Sequence, residues 1–522
     1  MYSETAGSRK TLGDIDIIYH DGIYHLFHLV LPNHDFIAHA VSNNCLQWRR
    51  VENALFIGDP GSWDDSMLWT MHVSRHPFDQ TRFRMFYTGL SRRDHGKIQR
   101  IGMAESDNLY EWKKSPVSWT DNHSELPYEL PGRPPQPSFG YDAKSCFPLS
   151  PDPAFYEANP EEDRHWISWR DPFYYRDESQ DRGWLLIAGR TKQGPLVRRG
   201  CVAALEETSP NHFEARPALH HPGLYDDVEV PNLFRLDDEY YLVGSMREDA
   251  KIRYWHTPKI GTNWRSYSDN VLLAAGNYAG RVSVDDQGPL LWSFFTPPGF
   301  DRTTHNLMPP PKRIERRPDG RLKVKTFERF DELSLGTLNC ESTDFAALWE
   351  DKSSVVEPVP SGLALRSPHR YQLFAHRAEL SSLRLESRIE ICSDGKCGIF
   401  FRANPSTHDG YYVSLDLFKG VAQCRSWGSS PDDSGENLMR YRSIQSGFWF
   451  TDEPGIALVQ LIAYGTYIEL SINGSIILSL ADQDYQKGCV GFYIESGTLT
   501  ATDLKIHRLD SPVQTDGHLA NG

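Results

Sequence analysis

Short apolar runs alternate with polar turns along almost the whole chain, and their spacing predicts strands. The clearest pair begins at Glu229-Val230-Pro231-Asn232-Leu233-Phe234. A turn at Leu236-Asp237-Asp238-Glu239 follows, and then the apolar run Tyr240-Tyr241-Leu242-Val243-Gly244-Ser245. The same unit recurs at Asp14-Ile15-Asp16-Ile17-Ile18-Tyr19 with Ile23-Tyr24-His25-Leu26-Phe27. It recurs again at Arg170-Asp171-Pro172-Phe173-Tyr174 with Trp184-Leu185-Leu186-Ile187-Ala188. Apolar second strands are centred near Leu26, Met85, Leu186, Leu242 and Leu291, at intervals of 59, 101, 56 and 49 residues. The long interval holds residues 116–165, rich in Pro, Ser and Asp, which read as a large loop over one face.

Third strands follow with an aromatic turn. Ile37-Ala38-His39-Ala40-Val41-Ser42 leads to Leu46-Gln47-Trp48, and Ile101-Gly102-Met103-Ala104-Glu105-Ser106 leads to Leu109-Tyr110-Glu111-Trp112. Repeats of about 50 to 60 residues with some four strands each are the pattern of a β-propeller. Five second strands predict five blades over residues 1–330. An acid opens three of the first strands: Asp14, Asp171 and Glu229. Counted against the second strands they fall at one phase, which in a circular array carries them to a common axis.

The pattern breaks near Pro309-Pro310-Pro311-Lys312-Arg313 and resumes as alternating runs. These are residues 361–365, 383–391, 398–402, 411–418, 456–462, 468–472, 476–480, 490–494 and 504–507, and no helix of note is expected. They predict an all-β second domain over 345–510, a β-sandwich resembling the concanavalin-like jelly roll, before a polar tail at 511–522. That domain places no acid in phase with the three above.

Composition changes this picture little. Aromatics at 12% and 39 Gly with 34 Pro suit an all-β chain rich in turns. A net charge of −15 argues against a nucleic-acid partner. No apolar run reaches the length of a membrane span. The polar start, residues 1–14, lacks the apolar centre of a secretory signal, so a cytoplasmic location is expected, or a secreted one if the natural chain begins earlier. The eight cysteines are scattered and read as free buried thiols; no metal site and no cofactor are expected.

The motifs resemble the five-bladed propeller glycosidases. Trp169-Arg170-Asp171-Pro172-Phe173 is similar to their Arg-Asp-Pro motif. Glu229-Val230-Pro231-Asn232-Leu233-Phe234 resembles the Glu-Cys-Pro-Asp-Leu-Phe of glycoside hydrolase family 32, the invertases, inulinases and levanases, with Val230 where Cys is usual. Tyr24-His25-Leu26-Phe27, His39-Ala40-Val41-Ser42 and Phe86-Tyr87-Thr88-Gly89 are similar to other stretches of that family, and Trp69-Thr70-Met71-His72 stands where it has Trp-Ser-Gly-Ser. Leu12-Gly13-Asp14-Ile15-Asp16-Ile17-Ile18 replaces its Trp-Met-Asn-Asp-Pro-Asn-Gly and is closer to the Asp-Pro-Asp-Ile-Ile of family 43 arabinofuranosidases and xylosidases.

The resemblance implies cleavage or transfer of a furanosyl unit, first of all a β-fructofuranoside, in a small sugar or oligosaccharide. Such chemistry needs an acid for the leaving oxygen and a carboxylate opposite it, either as nucleophile or as base for water. By resemblance Glu229 is the acid/base, Asp14 the nucleophile or base with Asp16 as rival, and Asp171 a binder of sugar hydroxyls. Arg170, Asp16, Trp63, Trp69 and His72 are the expected substrate contacts. Two alternatives remain at this stage: an inverting arabinofuranosidase or xylosidase, and a propeller turned to carbohydrate binding or another acid-catalysed reaction.

Overall fold

The computed structural model describes residues 1–3, 10–119, 141–160, 164–295, 306–392, 395–429 and 439–512. The expected loop at 116–165 and the tail at 511–522 therefore lie partly outside the described residues. The chain divides into two compact units near residue 311, with residues 273–277 grouped with the second.

The first unit is built from antiparallel sheets that follow one another along the chain, each in sequence order. Blade 1 runs Thr11–His20, Ile23–Leu31, Phe36–Ser42 and Arg49–Arg50, and blade 2 runs Met67–His76, Asp79–Leu90, Arg100–Ser106 and Lys113–Lys114. Blade 3 starts at Trp169–Asp177 and Arg182–Arg190, blade 4 at Glu229–Leu236 and Glu239–Met246, and the fifth sheet at Asn277–Asp285 and Gly288–Phe295. Each of Leu26, Met85, Leu186, Leu242 and Leu291 lies in the second strand of its own sheet, so the five-bladed propeller is as expected.

The second strands read as unbroken apolar runs because neighbours cover both faces. Leu26, Leu186 and Leu242 are fully buried. The cores lie between adjacent blades. Phe27, Met85, Trp63 and Trp169 belong to one cluster spanning blades 1 to 3, and Leu186, Val202, Leu242 and Trp255 to another spanning blades 3 and 4. Each large apolar side chain so buried contributes about 1.5–3 kcal/mol.

In the second unit, Gly362–Leu380 and Gly488–Leu509 pair along most of their lengths. Gly488–Leu509 pairs through its first half with Lys396–Ala403 and through its second with Leu383–Ile391. It is one strand where the sequence suggested two, and Ser496 and Asp503, with φ of 56° and 52°, interrupt it. Strand alternation sends Leu385, Ile389, Ile399, Val413 and Leu461 into the interior core of the sandwich. Val421–Ser429 and Met439–Phe448 are strands the sequence reading missed, because Gln423, Arg425, Arg440 and Arg442 dilute their apolar pattern.

Candidate active site

The first strand of each of the first four blades carries a register shift at a matching place. It falls between Leu12 and Ile15, Leu68 and Met71, Arg170 and Phe173, and Glu229 and Asn232. Such bulges re-aim side chains. Asp171 and Val230 sit there with φ of 59° and 50°, and Ala279 of the fifth sheet has 51°. A left-handed backbone costs a non-glycine residue about 1–3 kcal/mol, and a β-branched one is a true outlier. Hydrogen bonds hold these residues in place. The Asp171 N–H donates to Thr88 Oγ1 at 3.2 Å, and the Val230 N–H donates to Asp171 Oδ2 at 3.0 Å.

The single phase expected for the three acids is corrected by the register. Asp14 lies three residues before Ile17, the partner of Leu26. Asp171 lies two before Phe173, the partner of Leu186, and Glu229 four before Leu233, the partner of Leu242. The bulges absorb the difference, since a one-residue step turns a side chain to the other face.

Arg170 and Thr70 gather the acids. The buried Arg170 donates through Nη2 to Glu229 Oε1 at 2.6 Å, and its Nε lies 3.6 Å from Asp171 Oδ2. Behind it, Asp227 Oδ2 is 3.4 Å from the same Nη2, accepts from Arg190 at 3.0 Å, and is fully buried. Burial works against the charge of Arg170, but Asp227, Asp171 and Glu229 outweigh it and hold its pKa well above the ordinary value. Arg170 and Arg190, with Ser168, hold Asp227 below the usual carboxylate range despite its burial. Thr70 Oγ1 donates to Asp14 Oδ2, and Tyr278 donates its hydroxyl to Glu229 Oε2.

Burial pushes the carboxyl of Asp14 up and the charge of Glu229 adds to this, while Thr70, Arg281 and Arg170 oppose it. Asp171 is also pushed up by burial, with Arg170 opposing and Asp14 reinforcing. Asp171 thus senses the charge of Asp14, and Asp14 that of Glu229. The cluster offers one carboxylate fixed between a guanidinium and a phenol, a second hydrogen-bonded to a hydroxyl, and a third locked by the backbone.

A single guanidinium ties the blades together. Arg281 Nη2 donates to the carbonyls of Met71 at 2.8 Å and Pro172 at 3.0 Å, and Nη1 to that of Pro231 at 3.2 Å. These carbonyls belong to the first strands of blades 2, 3 and 4. Its Nε lies 3.3 Å from Asp16 Oδ1 in blade 1. Among the residues that sequence reasoning missed are Arg281 and Tyr278. The available signal was that Asn277-Tyr278-Ala279-Gly280-Arg281 precedes the fifth second strand at the spacing of the other acid-bearing strands.

Three expected substrate contacts are corrected. Asp16 is buried and fully engaged, accepting from the Val73 N–H at 2.7 Å and lying 3.1 Å from His72 Nδ1, besides Arg281. It is a structural carboxylate, which leaves Asp14 as the acid of blade 1 facing the cluster. Both ring nitrogens of His72 are used, the second 3.2 Å from the Tyr174 carbonyl, and the ring packs on Phe173. Trp63 is fully buried against Gly89 and Gly102, where a Cβ would come within 2.4 and 2.3 Å of its ring. It fills the core because those two glycines make room for it. Trp69 is different: half-buried, next to Thr70, its ring 5.9 Å from that of His34. Asp64, paired with Lys114 at 2.5 Å, and Asp65, which caps the Gly61 and Arg92 N–H groups, are both buried.

Residues 12–146 match the family model described as the glycosyl hydrolases family 32 N-terminal domain. No curated protein matches the chain by sequence. Among solved structures, the chain is similar to fructan 1-exohydrolase IIa from Cichorium intybus, at 12% identity and TM-score 0.63, over 96% of this chain and 95% of that one. It is similar to an exo-inulinase from Aspergillus awamori, at 13% identity and TM-score 0.62, over 96% of each chain. A family 32 β-fructofuranosidase from Bombyx mori shares 14% identity at TM-score 0.60, over 97% of this chain and 92% of that one. The resemblance to family 32 read from the motifs is thus met by the family model, and the propeller-plus-sandwich fold by these structures.

Proposed function

We propose that this chain, which carries a family 32 N-terminal domain, is a glycoside hydrolase that releases β-fructofuranosyl units from a small sugar or oligosaccharide. The observation that carries the proposal is the meeting of three carboxylates, from the first strands of three blades, around Arg170 and Thr70. The fructosidases among similar structures support it, including a variant of the Cichorium intybus enzyme in complex with 1-kestose.

In this reading the propeller carries the chemistry and the sandwich contributes no catalytic residue. In its protonated form Glu229 gives its proton to the leaving oxygen as the glycosidic bond breaks, and the Asp14 carboxylate attacks the anomeric carbon. Glu229 then takes a proton from water, the hydroxyl attacks the same carbon, and Asp14 leaves as carboxylate. Asp171 accepts from sugar hydroxyls and faces the positive charge that develops on the ring. Arg170 and Tyr278 aim the Glu229 carboxyl, and Trp69 walls one side.

The test is product release from sucrose, 1-kestose and inulin, set beside aryl arabinofuranosides and xylosides. Free fructose from the first group supports the proposal. Arabinose or xylose from the second group alone would replace it with the family 43-like reading, and no release from either would end it.

A further inference from the structure

The guanidinium of Arg170 is buried among three carboxylates. Nη2 donates to Glu229 Oε1 at 2.6 Å and lies 3.4 Å from Asp227 Oδ2, and Nε lies 3.6 Å from Asp171 Oδ2. Glu229 and Asp171 have roles in the proposed reaction. Asp227 has none, yet it is fully buried and stands two residues before Glu229. Ser168 links it to Arg170: the serine hydroxyl accepts from Arg170 Nη1 and donates to Asp227 Oδ1 at 3.0 Å. Further groups face this chain of contacts from other elements. The Tyr278 hydroxyl donates to Glu229 Oε2, and Asp14 senses the charge of Glu229. Arg190 Nη2 donates to Asp227 Oδ2 at 3.0 Å, and Arg247 Nη2 comes within 3.8 Å of the same oxygen. The Cys201 thiol is pushed up by burial and by the charge of Asp227.

A general acid must carry its proton when it acts. Protonating Glu229 takes one counter-charge away from a guanidinium that cannot lose its own proton. A buried charge left without a partner is strongly unfavourable. Asp171 is a poor substitute, because burial pushes its own carboxyl up and Asp14 adds to this against Arg170. Asp227 is different. Burial works against its charge, but Arg170, Arg190, Ser168 and Arg247 outweigh burial and hold it below the usual carboxylate range. It therefore stays an anion beside Arg170 whichever form Glu229 takes.

We propose that Asp227 is a positioning residue for the acid: it supplies the lasting counter-charge of Arg170, so that Glu229 can hold a proton without leaving that guanidinium unpaired. This rests on the reading of Glu229 as the acid of a glycoside hydrolase. Asp227→Asn keeps the shape and removes the charge. Arg170 is then left to Glu229 and Asp171, favours the Glu229 carboxylate, and the protonated acid is lost at lower pH.

The test is the titration of Glu229 in the full, substrate-free chain, followed by carbon NMR of protein labelled at the glutamate side-chain carboxyl. The Glu229 signal is the one missing from Glu229→Gln. In Asp227→Asn its midpoint should fall by about one pH unit or more, the usual effect of an adjacent charge. Asp227→Glu keeps the charge and should stay near the parent. Asp226 pairs with Arg164 and Arg190, each at 2.9 Å, so Asp226→Asn removes a neighbouring charge that is not set against Arg170 and should move the midpoint much less. On a natural fructoside the basic limb of kcat/KM should move down with the midpoint, and far less on an activated aryl glycoside. Should Asp227→Asn not fold, Arg247→Gln decides. Arg247 is exposed and faces Asp227, and losing its charge should move the midpoint to higher pH. A midpoint that stays or rises in Asp227→Asn, or falls equally in Asp226→Asn, overturns the proposal, as does an unmoved midpoint in Arg247→Gln where that variant decides. A fall in Asp227→Asn of a chain that cleaves no glycoside would keep the hold of Asp227 on Arg170 while removing the proposed hydrolase. Fructose release with an unmoved midpoint would remove the role of Asp227 alone.

Discussion

Arg281, on the inner strand of the fifth sheet, pairs with Asp16, on the inner strand of blade 1, at 3.3 Å. The first and last blades are therefore joined at the centre by charge, while the same guanidinium holds three carbonyls of the blades between them. Breaking a buried pair by removing one partner costs about 3–5 kcal/mol. Arg281→Met should lower the unfolding temperature sharply, since it strands three carbonyls and the Asp16 carboxylate. Asp16→Asn should cost less, because the amide still accepts from the Val73 N–H. Denaturant titration of both variants checks this ordering.

Trp63 and Trp69 should separate cleanly. Trp63→Phe leaves a void beside Gly89 and Gly102 and should lower stability by about 1–3 kcal/mol, with KM unchanged in the protein that remains folded. Trp69→Ala should raise KM with little change in unfolding temperature. Steady-state kinetics and thermal unfolding on the two variants read out both effects.

Buried histidines of blade 1 should make the fold acid-sensitive. Burial brings His25 down to about 4 and His28 to about 3, and lowers His39 well below its ordinary value. These rings stay neutral in the fold, whereas the unfolded chain takes up protons below about pH 6.5. Their contribution is complete above that pH and is lost as pH falls toward 4, by about 1.4 kcal/mol per unit for each ring. Carboxyls raised by burial, such as Asp14 and Asp171, act with the opposite sign. Comparing parent with His25→Gln in urea at pH 7.5, 6 and 5 isolates the histidine part, and the variant should show the shallower fall.

Thr70 should tune the acid limb of activity. Its hydrogen bond favours the Asp14 carboxylate against burial and the charge of Glu229. Thr70→Val removes that bond, so the pKa of Asp14 rises further. The acid limb of kcat/KM should then move to higher pH, since Asp14 must be ionised to attack. An unmoved limb would separate Asp14 from the rate-controlling ionisation.

The blades were legible in the sequence because each second strand is buried on both faces and reads as an apolar run around Leu26, Met85, Leu186, Leu242 or Leu291. Asp14, Asp171 and Glu229 were legible because they open such units. Arg281 was not, since a buried arginine has the same letter as a solvated one and its partners are backbone carbonyls. Asp16 and His72 were misread for a related reason: they sit beside the site in sequence, and strand alternation turns them toward structural partners. Trp63 looked like a sugar platform because Gly89 and Gly102, which bury it, lie far away along the chain. The acids stand 12, 15 and 13 residues before Leu26, Leu186 and Leu242, and these unequal counts were read as one phase because turn lengths and bulges both contribute to them.

Glu229 is held by Arg170 and Tyr278 and is the group assigned to protonate the leaving oxygen. The most direct test is to compare Glu229→Gln and Asp14→Asn on a natural fructoside and on an activated aryl glycoside whose leaving group scarcely needs a proton. General acid catalysis contributes about 10²–10⁴-fold. Glu229→Gln should lose that factor or more on the natural substrate and much less on the activated one, while Asp14→Asn fails on both alike. Equal losses for Glu229→Gln on the two substrates, or near wild-type rates on the natural one, would contradict the assignment.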